Sequence, residues 1–164
     1  MAAQITPASP LFLREPEIRR GVELLYFGHG RLNRAADMIL AEHGLGRAHH
    51  RALYFVARKP GLTVGELLRL LVITKQSLGR VLTDLTDRGL VESAPGESDR
   101  RQRLLRLTGT GASLEATLFD AMRTRLAAAY GHAGQAAVTG FWQVLEGLIP
   151  VEDRGLIVGL SRER

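Results

Sequence analysis

Residues 62–111 read LTVGELLRLLVITKQSLGRVLTDLTDRGLVESAPGESDRRQRLLRLTGTG. Thr63-Val64-Gly65-Glu66 has the spacing of a capping box: a Thr hydroxyl and a Glu carboxylate three residues on each satisfy an amide of a helix's first turn. A helix is expected over 63–70. After the apolar link Leu71-Val72-Ile73, Thr74 is the expected N-cap of a second helix. There Leu78, Val81, Leu82 and Leu85 recur at i, i+3, i+4 and i+7, one buried stripe. Gly89 is its expected stop. The period then changes. Leu90-Val91-Glu92-Ser93 reads as a short strand, Pro95-Gly96-Glu97-Ser98-Asp99 as turn chemistry, and 103–107 as a returning strand.

Helix, turn, amphipathic helix and hairpin, in that order, describe a winged helix-turn-helix. The expected fold class is mainly α with a small β-hairpin wing. The second helix of such a pair enters the major groove, which is wide enough for an α-helix. Its buried stripe leaves Lys75, Gln76, Gly79, Arg80 and Thr83 outward, with Thr74 and Ser77 near the N-terminal end. Lys and Arg pair with guanine, Gln with adenine. Gly79 in mid-helix costs stability relative to Ala, and serves a close approach of DNA or of a packed neighbour. The hairpin carries Arg100, Arg101, Arg103 and Arg106 beside Asp99. An arginine on a thin wing can enter the narrow minor groove, where negative potential is focused. Asp99 can orient the guanidinium of Arg101 by a charge-assisted pair. Arg100, Arg103 and Arg106 suit phosphates better than bases. The bland reading of the same residues is a solvated charged surface.

Working outward, 17–43 fits a helix imperfectly, with Gly28 and Gly30 in its middle. A helix over 47–58 ends at Pro60-Gly61. Pro7, Pro10 and Pro16 make the first sixteen residues an arm rather than a helix. After the wing, 113–130 is helical, with Leu114, Leu118, Met122 (or Ala121), Leu126 and Ala129 on one side. Gly131 and Gly134 interrupt it. Residues 135–148 resume with Val138, Phe141, Trp142, Leu145 and Leu148 as the apolar face, for the core or a subunit interface. Whether 111–149 forms one broken helix or two stays open. Pro150 breaks the chain again before a short last helix over 151–160.

Composition narrows the function. The chain has 164 residues, and 22 Lys and Arg against 17 Asp and Glu leave a formal charge of +5. That balance favours a polyanionic partner. There is no cysteine, which excludes disulfides, thiolate metal sites and a thiol nucleophile. Aromatics make up 5%, too few for a single-strand binder built on stacking. No apolar run is long enough to span a membrane, and 1–10 lack the pattern of a secretory signal, so a cytoplasmic protein is expected. No Gly-rich phosphate loop, Ser-His-Asp set or metal triad is found, so neither an enzyme nor a cofactor is expected. The five histidines, His49-His50 among them, show no metal-ligand spacing and read as ordinary surface or core residues.

The stretch 62–111 resembles the MarR family of bacterial transcriptional regulators. The residues that carry the resemblance are Leu62-Thr63-Val64-Gly65-Glu66-Leu67, Gln76-Ser77-Leu78-Gly79-Arg80-Val81-Leu82, Leu85, Asp87-Arg88-Gly89-Leu90-Val91, and the wing signature Asp99-x-Arg101 ending in Leu107-Thr108-x-x-Gly111. The distance from there to Pro150 is longer than in typical members. The resemblance implies a homodimer on a pseudo-palindromic duplex operator, mostly acting as a repressor and often released by a small aromatic or anionic effector. It implies an N-terminal arm (1–16), a dimerisation helix (17–46), a DNA-binding lobe (47–110) and C-terminal dimerisation helices (111–164). Thr74, Lys75, Gln76, Ser77 and Arg80 become the recognition-helix contacts. Asp99, Arg100, Arg101 and Arg103 become the wing contacts, with Arg101 in the minor groove. An effector pocket is expected where the first two helices meet the lobe, around Phe27, Arg31, His49, Tyr54 and Arg58. Two other readings use the same fold: a non-specific architectural DNA binder, and a winged-helix protein-interaction module.

Overall fold

The computed structural model describes residues 9–96, 100 and 102–161. Among them the chain forms seven α-helices and three strands: α1 (Glu15–Glu42), α2 (Arg47–Arg58), β1 (Leu62–Thr63), α3 (Val64–Leu71), α4 (Lys75–Asp87), β2 (Val91–Pro95), β3 (Arg103–Leu107), α5 (Gly109–Ala133), α6 (Gln135–Gly147) and α7 (Arg154–Ser161). It divides into two compact units at the Arg34–Ala35 bond.

In the first unit a 3-10 turn, Pro10–Leu13, precedes α1. The expected arm is therefore partly helical, and Pro16 lies inside the first turn of α1, where a missing amide costs nothing. Gly28 and Gly30 do not interrupt the helix. From Leu11 to Phe27 the large apolar side chains are exposed, Leu13, Tyr26 and Phe27 by about 70%.

The second unit holds the core. Leu40 and Leu45 around the end of α1, Leu53 and Val56 of α2, Leu67 and Leu71 of α3, Leu78 and Leu85 of α4, Val91 and Leu105 of the sheet, and Leu114 and Leu118 of α5 are all buried. The capping box is formed as expected: Glu66 N donates to Thr63 Oγ1 (3.2 Å) and Thr63 N to Glu66 Oε2 (2.9 Å). The wing is a three-stranded antiparallel sheet of order β1-β3-β2, not a bare hairpin. Two residues, Leu62 and Thr63, pair with Leu105 and Leu104. So short a strand has no periodicity of its own and exists because β3 lies beside it.

The α4 helix ends as a Schellman motif. Leu90 N donates to Leu85 O and Gly89 N to Thr86 O, both at 2.9 Å, with Gly89 at φ +64°. The chain then makes its closest approach. Thr108 Oγ1 donates to Gly89 O (2.6 Å) and accepts from Gly111 N (3.0 Å), clamping the start of α5 onto the turn after α4. A β-carbon on Gly111 would stand 1.9 Å from Leu90 O, so the Leu-Thr-x-x-Gly signature is a steric requirement.

Three boundaries differ from expectation. The long C-terminal stretch is two helices, broken at Gly134 (φ +82°) alone; Gly131 lies within α5. The α5 helix starts at Gly109 because Thr108 caps it, and Ser113 lies a turn inside. The last helical segment is a 3-10 turn, Val151–Asp153, followed by α7. On α6 and its C-cap, Phe141, Trp142, Val144 and Leu148 are 41–64% exposed, so these side chains do not belong to the core of the described residues. Trp142 Nε1 donates to Tyr130 Oη across the α5–α6 turn at 2.9 Å.

Candidate nucleic-acid interface

The α4 helix buries Leu78, Val81 and Leu85 and exposes Thr74, Lys75, Gln76, Ser77, Gly79, Arg80 and Thr83. The expected recognition face is thus one exposed surface. Thr74 is its N-cap: Oγ1 accepts from Ser77 N (3.1 Å) and donates to Ser77 Oγ (2.9 Å). The Thr74 hydroxyl is committed to the cap, whereas the Ser77 hydroxyl keeps its proton for an outside acceptor. Lys75, Gln76 and Arg80 make no side-chain hydrogen bond with other described residues. A β-carbon on Gly79 would meet nothing within 4 Å. No packing among the described residues requires this glycine.

The helix is held from behind. His49 Nδ1 accepts from Gly46 N (3.1 Å), which leaves the proton on Nε2, 3.2 Å from Asp84 Oδ2 in the last turn of α4. Arg88 Nη1 donates to His43 O at 2.7 Å, and Arg51 Nη2 to Leu70 O at 3.3 Å. Those two guanidiniums meet carbonyls at the ends of α1 and α3, where the helix dipoles favour a cation. At the bend between α3 and α4, Val72 is left-handed (φ 51°, ψ 48°) and 85% exposed. A β-branched residue in that conformation is strained, and it stands next to the residues that would meet a duplex.

In the wing, Arg100 is exposed, and so are Arg103 and Arg106 of β3. Arg106 lies opposite Glu92 in the β2–β3 register, and Gly96 N donates to Gln102 O (2.9 Å) toward the tip. Asp99 and Arg101, the expected minor-groove pair, lie outside the described residues.

At the first turn of α3, Lys59 Nζ reaches Glu66 Oε1 at 2.8 Å. Burial by itself would raise the Glu66 pKa. Hydrogen bonds from Lys59 and Thr63, with the Lys59 charge, outweigh it and hold the carboxyl at about 2. Burial pushes His50 below the usual imidazole value, against the pull of Asp37. Among the described residues no three His, Asp or Glu side chains are grouped to hold a metal ion.

The residues expected around an effector fall in both units. Phe27 and Arg31 belong to the first, where Phe27 is exposed. In the second, both His49 ring nitrogens are engaged as described. Tyr54 packs its ring against Phe119 of α5, with centroids 6.3 Å apart, and Arg58 Nη2 donates to Leu160 O at 2.7 Å. Sequence reading missed Phe119 and Glu115, which accompany Tyr54 and Arg58 here. The signal was present: each pair is spaced i, i+4, one helical turn.

Comparisons with known proteins agree with this architecture. The family model described as the MarR family matches residues 43–102. The chain is 50% identical over 139 residues to the HTH-type transcriptional regulator PetP of Rhodobacter capsulatus, covering 85% of this chain and 84% of PetP. Its fold is similar to that of a cysteine-to-serine mutant of MarR from E. coli complexed with operator DNA: TM-score 0.65, 22% identity, covering 87% of this chain and 100% of MarR. It is also similar to a Mycobacterium tuberculosis MarR family protein in complex with p-aminosalicylic acid: TM-score 0.55, 26% identity, covering 77% and 95%. With the winged lobe, its capped α4 helix and the Thr108–Gly111 clamp in place, the chain belongs to the MarR family of transcriptional regulators.

Proposed function

We propose that the chain is a dimeric, sequence-specific DNA-binding repressor that a small aromatic carboxylate releases from its operator. The observation that carries the DNA-binding part is the face of α4. Lys75, Gln76, Ser77 and Arg80 project from a helix whose opposite stripe is buried. Their side-chain donors and acceptors can pair with base edges in a major groove. Arg100 and Arg103, together with the sequence neighbours Asp99 and Arg101, supply phosphate and minor-groove contacts. The relative solved with operator DNA supports this reading.

Dimerisation is supported by the exposed apolar residues of the 3-10 turn and α1, and separately by those of α6. Apolar surface of that extent is not left to water in a stable protein. Twofold symmetry then sets half-sites about 10 bp apart. The effector part rests on Tyr54 and Arg58, an aromatic and a cation one turn apart, and on the relative complexed with p-aminosalicylic acid.

The test is binding of the purified protein to the DNA upstream of its own gene against random duplex, over a salt series. A preference of about a thousandfold or more, lost in Arg101→Ala, supports a sequence-specific regulator. The doubled charge of the dimer, 2 × (+5) = +10, should make affinity fall steeply with salt. Equal affinity for both duplexes indicates an architectural binder, and no binding at low salt a protein-interaction module.

A further inference from the structure

Arg58 closes α2, and its partner is 102 residues away. The Nη2 donates at 2.7 Å to the carbonyl of Leu160, in the last turn of α7. Carbonyls in a last turn have no donor within their own helix, and a cation there also meets the negative end of the helix dipole. Across from α2, the α5 helix presents Glu115 and Phe119 one turn apart, opposite Tyr54 and Arg58. The Tyr54 and Phe119 rings lie 6.3 Å apart. The half-buried Glu115 carboxyl is raised by burial and drawn down by the charge of Arg58. The constellation has an aromatic end and a cationic end, and the C-terminal helix sits on the cationic end.

The occupant is a weak one. A backbone carbonyl is a single neutral acceptor, whereas a guanidinium offers a carboxylate two parallel charge-assisted bonds, each about twice as strong as a neutral one. The helix that supplies the carbonyl has eight residues, below the length at which a helix persists without tertiary support. Its Ile157 and Val158 remain about half exposed. At its other end, Arg154 Nε donates to Ile149 O at 3.3 Å.

We propose that α7 is a latch: the Leu160 carbonyl holds Arg58 until a carboxylate ligand, its ring against Tyr54 and Phe119, takes the guanidinium and releases the C-terminal helix. This rests on the effector reading given above and adds its regulation. The α2 helix packs on α3, α4 and β3 as well as on α5, so the latch ties the C-terminal helix to the element that backs the DNA-reading lobe. A ligand that competes with the latch binds more weakly than its contacts allow, by the fraction of chains unlatched.

Amide hydrogen exchange on the full chain tests the latch without any ligand. In Arg58→Ala the amides of 156–160 should exchange about tenfold faster or more, while α2 and α5 stay protected. Unchanged exchange of α7 would overturn the proposal. Gly159→Pro breaks the last turn of α7 and leaves Arg58 intact. Titrated with p-aminosalicylic acid as probe, it should bind about tenfold more tightly than the natural chain. In the natural chain, the probe should accelerate exchange over 156–160. Equal affinity, or probe binding that leaves those amides unmoved, would sink the competition. Failure of the probe to bind either protein would overturn the effector reading and the opening step with it, and the Arg58→Ala result would still decide the latch.

Discussion

The winged lobe and the N-terminal segment are built from similar side chains and fare oppositely. In the lobe, Leu53, Leu67, Leu71, Leu78, Leu85 and Leu105 are 2% exposed or less. In the first unit, Leu11, Phe12, Leu13, Ile18 and Leu24 are all more than half exposed. The lobe surrounds its leucines with α2 to α5, the end of α1 and a sheet from its own chain. The N-terminal segment is one helix and a turn, and a single helix has no inside. Local propensity made both regions helical; only the lobe encloses a core with what its own chain provides. In the proposed dimer a second copy covers the apolar surface left over.

Substitutions of matched size give the widest contrast. Leu53→Ala should lower unfolding free energy by about 2 to 5 kcal/mol, from lost transfer energy and the cavity left behind. Leu24→Ala, at 62% exposure, should leave the lobe's own stability within about 0.5 kcal/mol and weaken subunit association. Urea unfolding at two protein concentrations separates these, and a loss of lobe stability in Leu24→Ala comparable to that in Leu53→Ala would end the distinction.

Next comes the clamp that seals the lobe. Gly111→Ala drives a methyl group against Leu90 O, where backbone must move on both sides. The expected cost is about 3 kcal/mol, read as a lower urea midpoint. Gly79→Ala, with open space around it, should instead raise stability by up to about 1 kcal/mol while reducing operator affinity. A stabilised variant with full affinity would show that nothing approaches that face closely.

The Lys59–Glu66 pair sharpens the comparison by pH. The folded Glu66 pKa of about 2 lies below its ordinary 4.5, so its contribution is fully present above pH 4.5 and is lost as pH falls toward 2. The pair is partly exposed, so about 1 to 3 kcal/mol is expected. The gap in urea midpoint between the natural chain and Glu66→Gln should be open at pH 6 and narrow below pH 4; a constant gap would mean that the carboxylate charge contributes nothing. The smallest effect is at Val72. Relief of its left-handed backbone in Val72→Gly should gain up to about 1 kcal/mol, after the entropy that glycine loses on folding. A loss there would mean that the exposed isopropyl group packs against something the lobe alone does not contain.

Much of the lobe was legible because its signals are local. The capping box at Thr63 and Glu66, the stripe through Leu78 and Leu85, and the cap at Thr74 each involve residues within two helical turns, and each forms as read. The misses share the opposite property. Strand β1 is two residues long and exists only through its pairing with β3. Gly131 reads as a breaker yet sits in a helix, because the neighbouring turns satisfy its backbone while Gly134 takes the positive φ. Glu115 and Phe119 carried a visible spacing but no reason to choose them until α5 was placed against α2.

The amino-acid sequence by itself determined the helix caps, the buried stripes, the order of elements and the basic surface of α4 and the wing. These depend on side-chain chemistry and on periods of two and 3.6 residues, which any chain carries with it. Only the tertiary structure decided that Thr108 locks onto Gly89, that Gly111 must lack a β-carbon, that His49 backs Asp84 and that Arg58 holds a carbonyl 102 residues away. Those contacts join positions far apart along the chain, and a one-dimensional pattern does not say which distant carbonyl a guanidinium will meet.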